Sequence, residues 1–386
     1  MQQINAYIVA ARRSALGRIG GLHRSRRIDA LTGPVIQAAL ADSKINPAEI
    51  DEVIIGNATE GGNPARLIAL AAGLSEDVSA TSIDRQCSSG LAAILAGIRT
   101  IGSGDAAIVV AGGAESLSTA PWRVLKPRSL YQTPQFLRYE PAMTDAPDEP
   151  QPFEASEALA SSRNLGRSVQ DQWALKSFLS AEAAREARRF VGEIVALRGN
   201  AEEARDQSAI VPDADDIEDA VPFLPDGGTL TPANTSAMHD GAAAVVMVSE
   251  EVWKRLGEPA ALRLVASASQ GVPPAAEAEA PMIATRKLYG RLNGFNTKDI
   301  GTFELSEASA AQAIAFARDL GIDEAILNTD GGAIVRGHPF GASGAVLVVR
   351  LFSTMVRGGP AGAPRFGVAS QGSIGGLGLS ALFERV

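Results

Sequence analysis

The sequence predicts a layered α/β protein made of two similar halves with an insertion in the first, and three observations carry that prediction. Short apolar runs alternate with stretches of helical periodicity, a similar helix start occurs once in each half, and residues 119–241 change to a proline-rich, charged texture. The 386 residues exceed what one hydrophobic core serves, and 46% hydrophobic against 20% charged residues excludes disordered, collagenous and fibrous chains.

The runs Val53-Ile54-Ile55, Ala107-Ile108-Val109-Val110-Ala111 and Ala243-Ala244-Val245-Val246-Met247-Val248 are bounded by Gly, Asp or Ser. They are continuous rather than alternating, as strands covered on both faces are. A further strand, 80–83, leads through the turn Asp84-Arg85-Gln86 to Cys87. After Cys87, Leu91, Ile94, Leu95, Ile98 and Ile101 recur at helical spacing and predict a helix with one buried face. In the second half, Gly344 to Val356 is apolar nearly all round, with only Arg350, Ser353 and Thr354 polar, which predicts a helix sandwiched between layers. Cys87-Ser88-Ser89-Gly90 can be laid on Gly341-Ala342-Ser343-Gly344, so internal duplication is expected.

The predicted units are residues 1–118, completed by about 242–262; an inserted unit, 119–241; and 263–386. Within the insertion stand Pro141, Pro147, Pro150 and Pro152, an acidic stretch with Asp213, Asp215, Asp216 and Asp219, and a helix from Ser168, as its cap, to Arg189. At the C-terminal end, Phe366 to Ser380 reads as strand, glycine-rich turn and strand.

A net charge of −9 is the wrong sign for a dedicated nucleic-acid or anionic-membrane binder. One cysteine permits no intrachain disulfide, the first residues lack the pattern of a signal peptide, and no uninterrupted apolar run reaches the 18 or so residues of a membrane span. A cytoplasmic protein is expected. His23, His239 and His338 with a single cysteine form no recognisable metal-ligand spacing.

Cys87 opens a helix, where unpaired backbone N–H groups and the helix dipole favour a thiolate; it is the candidate nucleophile, weighed against an inert buried cysteine. His338, between Gly337 and Pro339 in a segment with five glycines in 17 residues, is the candidate to deprotonate a thiol or polarise a carbonyl, weighed against a turn histidine. His23, in an arginine-rich segment, is expected on the solvated surface.

Taken together, five segments resemble the thiolase family in order along the whole chain. Ala11 to Arg18 is similar to "A-R-T-P-x-G", and Asp84-Arg85-Gln86-Cys87-Ser88-Ser89-Gly90 to the nucleophile motif. Ala111 to Ser118 resembles "G-G-x-E-x-M-S", Asn234 to Ala242 resembles "N-A-S-G-x-N-D-G-A", and Gly331 to Gly344 resembles "G-G-A-x-x-x-G-H-P-x-G-x-S-G". The resemblance implies a thiolase fold, five layers α/β/α/β/α from two similar halves, with a loop domain covering coenzyme A. It implies a homodimer or homotetramer with no permanently bound cofactor, acting on acyl-CoA or 3-oxoacyl-CoA, with coenzyme A as substrate or product. It also implies that Cys87 carries the acyl group as a thioester and that His338 activates the thiol and binds the thioester oxygen. Ser236 is then a candidate for the pantetheine arm, and Gly375 and Gly376 for substrate or coenzyme A binding.

Two departures stand out. The family's "N-E-A-F" is Ser306-Glu307-Ala308-Ser309 here, so Ser306 and Glu307 are the candidates at that catalytic position, with a hydroxyl replacing an amide. The family's second cysteine, in "C-x-G-G-G-x-G", is missing; Gly372 or Ser373 occupies its place. His338, Glu307, a bound water or the substrate itself are the candidates to replace it. Acyl transfer, decarboxylative condensation and a non-catalytic subunit with a protein partner are the alternatives to carbon–carbon bond formation or thiolysis. Val211 to Asp226 is acidic where many relatives are basic, while Arg123, Lys126, Arg128 and Arg138 offer positive charge elsewhere, weighed against a solvated surface run.

Overall fold

The computed structural model describes residues 5–127, 129–137, 152–197, 199, 201–224, 227–292, 294–358 and 362–386. Arg128, Arg138, Pro141, Pro147 and Pro150 lie outside the described residues.

A long sheet path links both halves. Its order is Ile300–Leu305, Phe366–Ser373, Leu377–Arg385, Leu262–Gly271, Ala6–Ser14, His239–Ser249, Ile108–Glu115, Glu52–Gly56 and Ser79–Ile83. The join is slight: Leu262–Gly271 meets Ala6–Ser14 antiparallel through Tyr7 opposite Arg263 and Ile8 opposite Leu262. The strands predicted from continuous apolar runs are covered on both faces. Along Ile108–Glu115, Val109 and Ala111 enter one core while Ile108, Val110 and Ala114 enter another.

Helices Ile28–Ser43 and Pro64–Ala71 cover the outer face of the first half, and Ala280–Tyr289 and Ala310–Leu320 that of the second. Between the sheets lie Ser89–Ser103 and Phe340–Phe352, which share a single core, so the layers run α/β/α/β/α. Helix Phe340–Arg357, with its last turn widened at Ser353–Arg357, is long and apolar enough to cross a membrane, although Arg350 interrupts its apolar run. It is 78% buried inside the protein, as a central core helix is.

The insertion contributes helices Pro152–Ser162 and Arg167–Glu186, and Ala155, Leu159, Trp173 and Ala174 join the outer core of the second half. Ser168 is not the cap expected of it: the helix starts at Arg167 behind Gly166, and the Ser168 hydroxyl accepts instead from Gln172 Nε2 at 3.5 Å. A buried ionic network anchors the insertion to both halves. Arg13 donates to Glu193 at 2.6 Å and forks onto Asp206 at 2.6 and 2.9 Å, while Arg350 pairs with both Glu193 and Asp330. Burial alone would neutralise Glu193, but Arg350 and Arg13 outweigh it and hold its carboxyl down at about 2. His23 also departs from expectation. It is buried, with Nε2 on the Ala15 carbonyl at 2.8 Å and Nδ1 beside Arg26 at 2.8 Å, so one arginine of that segment is an internal partner while Arg24 and Arg27 stay exposed.

Candidate active site

Cys87 is delivered by a tight turn between the strand Ser79–Ile83 and the helix Ser89–Ser103. Gln86 adopts a left-handed backbone at φ 53°, and Asp84 Oδ1 holds its N–H at 2.9 Å. Ser89 Oγ accepts from Arg85 N at 2.8 Å and donates to the Gln86 carbonyl at 2.6 Å, closing the turn. The backbone N–H groups of Ile374 and of Cys87 itself favour charge on the sulfur. The thiolate expected at this helix start is not the resting form. Burial dominates and pushes the Cys87 thiol up to about 12, with Glu277 and Glu115 adding to the shift. Ionising this thiol at neutral pH therefore needs a base to take the proton.

His338 is placed by the loop that ends at the second central helix. Its N–H donates to Ala237 O at 2.8 Å and its carbonyl accepts from His239 N at 3.1 Å. Gly337 must be glycine: its φ is 98°, and a Cβ there would enter the His239 ring. Nδ1 pairs with Ser343 Oγ at 2.7 Å, and Nε2 makes no hydrogen bond among the described residues. Burial, helped by His239, pushes the imidazole down to about 4. It is neutral at physiological pH, and with the proton on Nδ1 its free Nε2 is a base.

The two helix starts converge. A Cβ on Gly90 would lie 2.6 Å from Gly341 O, and Gly341 N donates to Glu115 Oε2 at 2.9 Å. Glu115 also accepts from Asn57 Nδ2 at 2.8 Å, from Ala58 N at 3.1 Å and from the Thr59 hydroxyl. It is fully buried, and burial lifts its carboxyl to about 7 despite those donors. Glu115, within the Ala111 to Ser118 segment, ties the loop at Asn57 to the loop of His338.

The other expected site residues divide. Ser373 locks the nucleophile turn: its hydroxyl accepts from Ser88 N at 3.0 Å, pairs with Ser88 Oγ and donates to Arg85 O at 3.3 Å. Gly372 stands beside Ser306, whose hydroxyl accepts from Gly372 N at 3.4 Å. Glu307 is fully buried. Its carboxylate accepts from Trp173 Nε1 at 2.8 Å, Ser177 Oγ at 3.4 Å and Ile334 N at 3.1 Å, which joins the insertion to the histidine loop. Ser236 bonds Ala308 O through its N–H at 3.0 Å and its hydroxyl at 3.3 Å, at the join between the insertion and the 306–309 segment. Gly375 and Gly376 form the turn at φ 85° and 77°. Cavities of about 190 Å³ beside Glu307 and about 320 Å³ beside Arg350 are lined by neither Cys87 nor His338.

Glu277 had no local signal in the sequence. It lies in the short helical segment Pro274–Glu279, and its Oε2 accepts from Gly375 N at 3.0 Å, beside the Ile374 N–H that faces the sulfur.

Comparison with known proteins agrees with this architecture. The thiolase N-terminal domain matches residues 6–251 and the thiolase C-terminal domain residues 258–385. A Bacillus subtilis protein, YhfS, named provisionally as an acetyl-CoA C-acetyltransferase, is 37% identical over 99% of both chains. The Escherichia coli K12 acetyl-CoA acetyltransferase is 35% identical, again over 99% of both. The crystal structure of the Bacillus anthracis acetyl-CoA acetyltransferase superposes with a TM-score of 0.89 at 30% identity, covering 100% of this chain and 99% of that one. The chain belongs to the thiolase family.

Proposed function

We propose that this protein is an acyl-CoA-dependent acyltransferase that forms an acyl thioester on Cys87, from acyl-CoA or 3-oxoacyl-CoA, for carbon–carbon bond formation or thiolytic cleavage. The observation that carries the reading is the convergence of two groups at the adjoining starts of the central helices. One is a neutral thiol whose sulfur faces two backbone N–H donors; the other is a neutral histidine with a free Nε2. Family membership and the acetyl-CoA acetyltransferase names of its relatives support it.

In the first step His338 Nε2 takes the Cys87 proton as the sulfur attacks the acyl carbonyl, and the Ile374 and Cys87 N–H groups hold the oxyanion. The imidazolium then returns the proton to the departing coenzyme A thiolate. Coenzyme A is a substrate and product here rather than a resident cofactor. A cytoplasmic location suits a chain whose one cysteine is unpaired, and a homodimer or homotetramer is part of the same proposal.

Intact-protein mass spectrometry tests it. Wild type mixed with a panel of acyl-CoA and 3-oxoacyl-CoA donors gains one acyl mass and releases free coenzyme A, whereas Cys87→Ala gains none. An adduct of equal yield on Cys87→Ala, or none on wild type with any donor, sinks the reading.

A further inference from the structure

Acyl transfer at Cys87 leaves one chemical task without a group to perform it. Joining a second acyl unit through carbon, or cleaving one, requires a proton to leave or rejoin the carbon next to a thioester carbonyl. Gly372 has no side chain, Ser373 is spent on the nucleophile turn, and the Ser306 hydroxyl is a poor base that already accepts a backbone N–H. Two carboxylates in the neighbourhood are enclosed: Glu115 is fully buried under Asn57, Ala58, Thr59 and Gly341, and Glu307 is buried under Trp173, Ser177 and Ile334.

Glu277 differs from both. The segment that carries it folds back over the glycine-rich turn: Val272 N donates to Gly376 O at 2.7 Å, and Pro281 Cδ lies 3.1 Å from where a side chain on Gly372 would begin. Gln312 Nε2 fixes the next residue by donating to Ala278 O at 3.1 Å. Glu277 is half-buried rather than sealed, and the Gly375 N–H orients one carboxylate oxygen at 3.0 Å. The turn thus links Glu277, through Gly375, to the Ile374 N–H at the sulfur, on the side where position 372 lacks a side chain.

The geometry points to Glu277 as the catalytic acid/base that moves the substrate Cα proton in the reaction of the Cys87 thioester. This rests on the acyl-transfer reading above. In condensation, a Glu277 oxygen takes the Cα proton of a bound acyl-CoA while the electron pair stays on carbon. That carbon bonds to the carbonyl carbon of the Cys87 thioester, the C–S bond breaks, and the released thiolate recovers the proton from Glu277. Cleavage runs the same steps backwards, with Glu277 protonating the departing carbon. Protons and electrons balance without an oxidant or reductant. The charge of Glu277 also bears on the sulfur.

The test follows Cα hydrogen–deuterium exchange into acetyl-CoA in deuterium oxide, with Cys87 acylation measured on the same samples. Glu277→Gln keeps the acceptor for Gly375 N but removes the base, and Glu279→Gln changes a neighbouring carboxylate as the control. The expected result is that both variants still form the Cys87 acyl adduct and keep the wild-type thermal unfolding. Exchange falls about 100-fold or more in Glu277→Gln alone, together with loss of the acidic limb of the wild-type pH profile. Exchange at the wild-type rate in Glu277→Gln overturns the assignment. So does a wild type that is acylated on Cys87 yet exchanges no proton, a result that favours decarboxylative condensation. Absence of the Cys87 adduct in wild type overturns the acyl-transfer reading itself and this assignment with it.

Discussion

Gly90 and Gly344 press on each other's helices in reciprocal fashion. A Cβ on Gly90 would stand 2.9 Å from Ala345 N, and one on Gly344 would stand 2.7 Å from Leu91 N, so each glycine meets the residue that follows the other. The two positions are the ones that the internal similarity of the sequence pairs, and the crossing sets where Cys87 and His338 are presented. Gly344→Ala therefore places a methyl group against helix backbone, which cannot rotate away. A loss of about 1–3 kcal/mol of stability is expected, read as a lower midpoint in urea unfolding. An unchanged midpoint would mean that the two central helices slide apart at little cost.

Cys87 and His338 both rest uncharged, and this makes their pH dependence specific. Because only the thiolate is alkylated and its pKa lies near 12, the reaction of Cys87 with iodoacetamide should be slow at pH 7 and rise about tenfold per unit toward pH 10 without a plateau. A plateau below pH 8 would reveal a preformed thiolate. His338 acts at the other end. Its folded value of about 4 lies below the ordinary 6.5, so the unfolded chain binds that proton more readily. Its contribution to stability is full above pH 6.5 and is lost as the pH falls toward 4; His338→Gln should flatten that limb of the stability profile, measured by thermal unfolding across the range.

The indole of Trp173 holds Glu307 from the insertion side at 2.8 Å, while Ile334 N holds it from the histidine loop. Trp173→Phe keeps the ring in the core and removes only the donor, leaving a buried carboxylate oxygen short of a partner. Destabilisation by about 1–3 kcal/mol is expected, together with faster proteolysis of the Arg167–Glu186 helix. Equal proteolysis rates for variant and wild type would show that this bond does not dock the insertion.

Much of this protein was legible in the chain itself, because the relevant signals are local. Continuous apolar runs marked strands covered on both faces, as Ile108–Glu115 is, and the all-round apolar stretch after Gly344 marked a helix that could only lie between layers. The ordered motifs around Cys87 and His338 carried the family and the fold. The tertiary structure decided what depends on partners distant in sequence. Burial turned the expected thiolate into a thiol, and internal partners drew His23 out of solvent. Glu307 became a tie for the insertion because Trp173, 134 residues away, reaches its carboxylate. Glu277 became a candidate base because Gly375, 98 residues away, orients it. Backbone propensity and hydrophobic period act over a few residues and can be read from sequence. The charge state and exposure of a side chain depend on every group folded against it, and those groups are assembled only when the two halves close on each other.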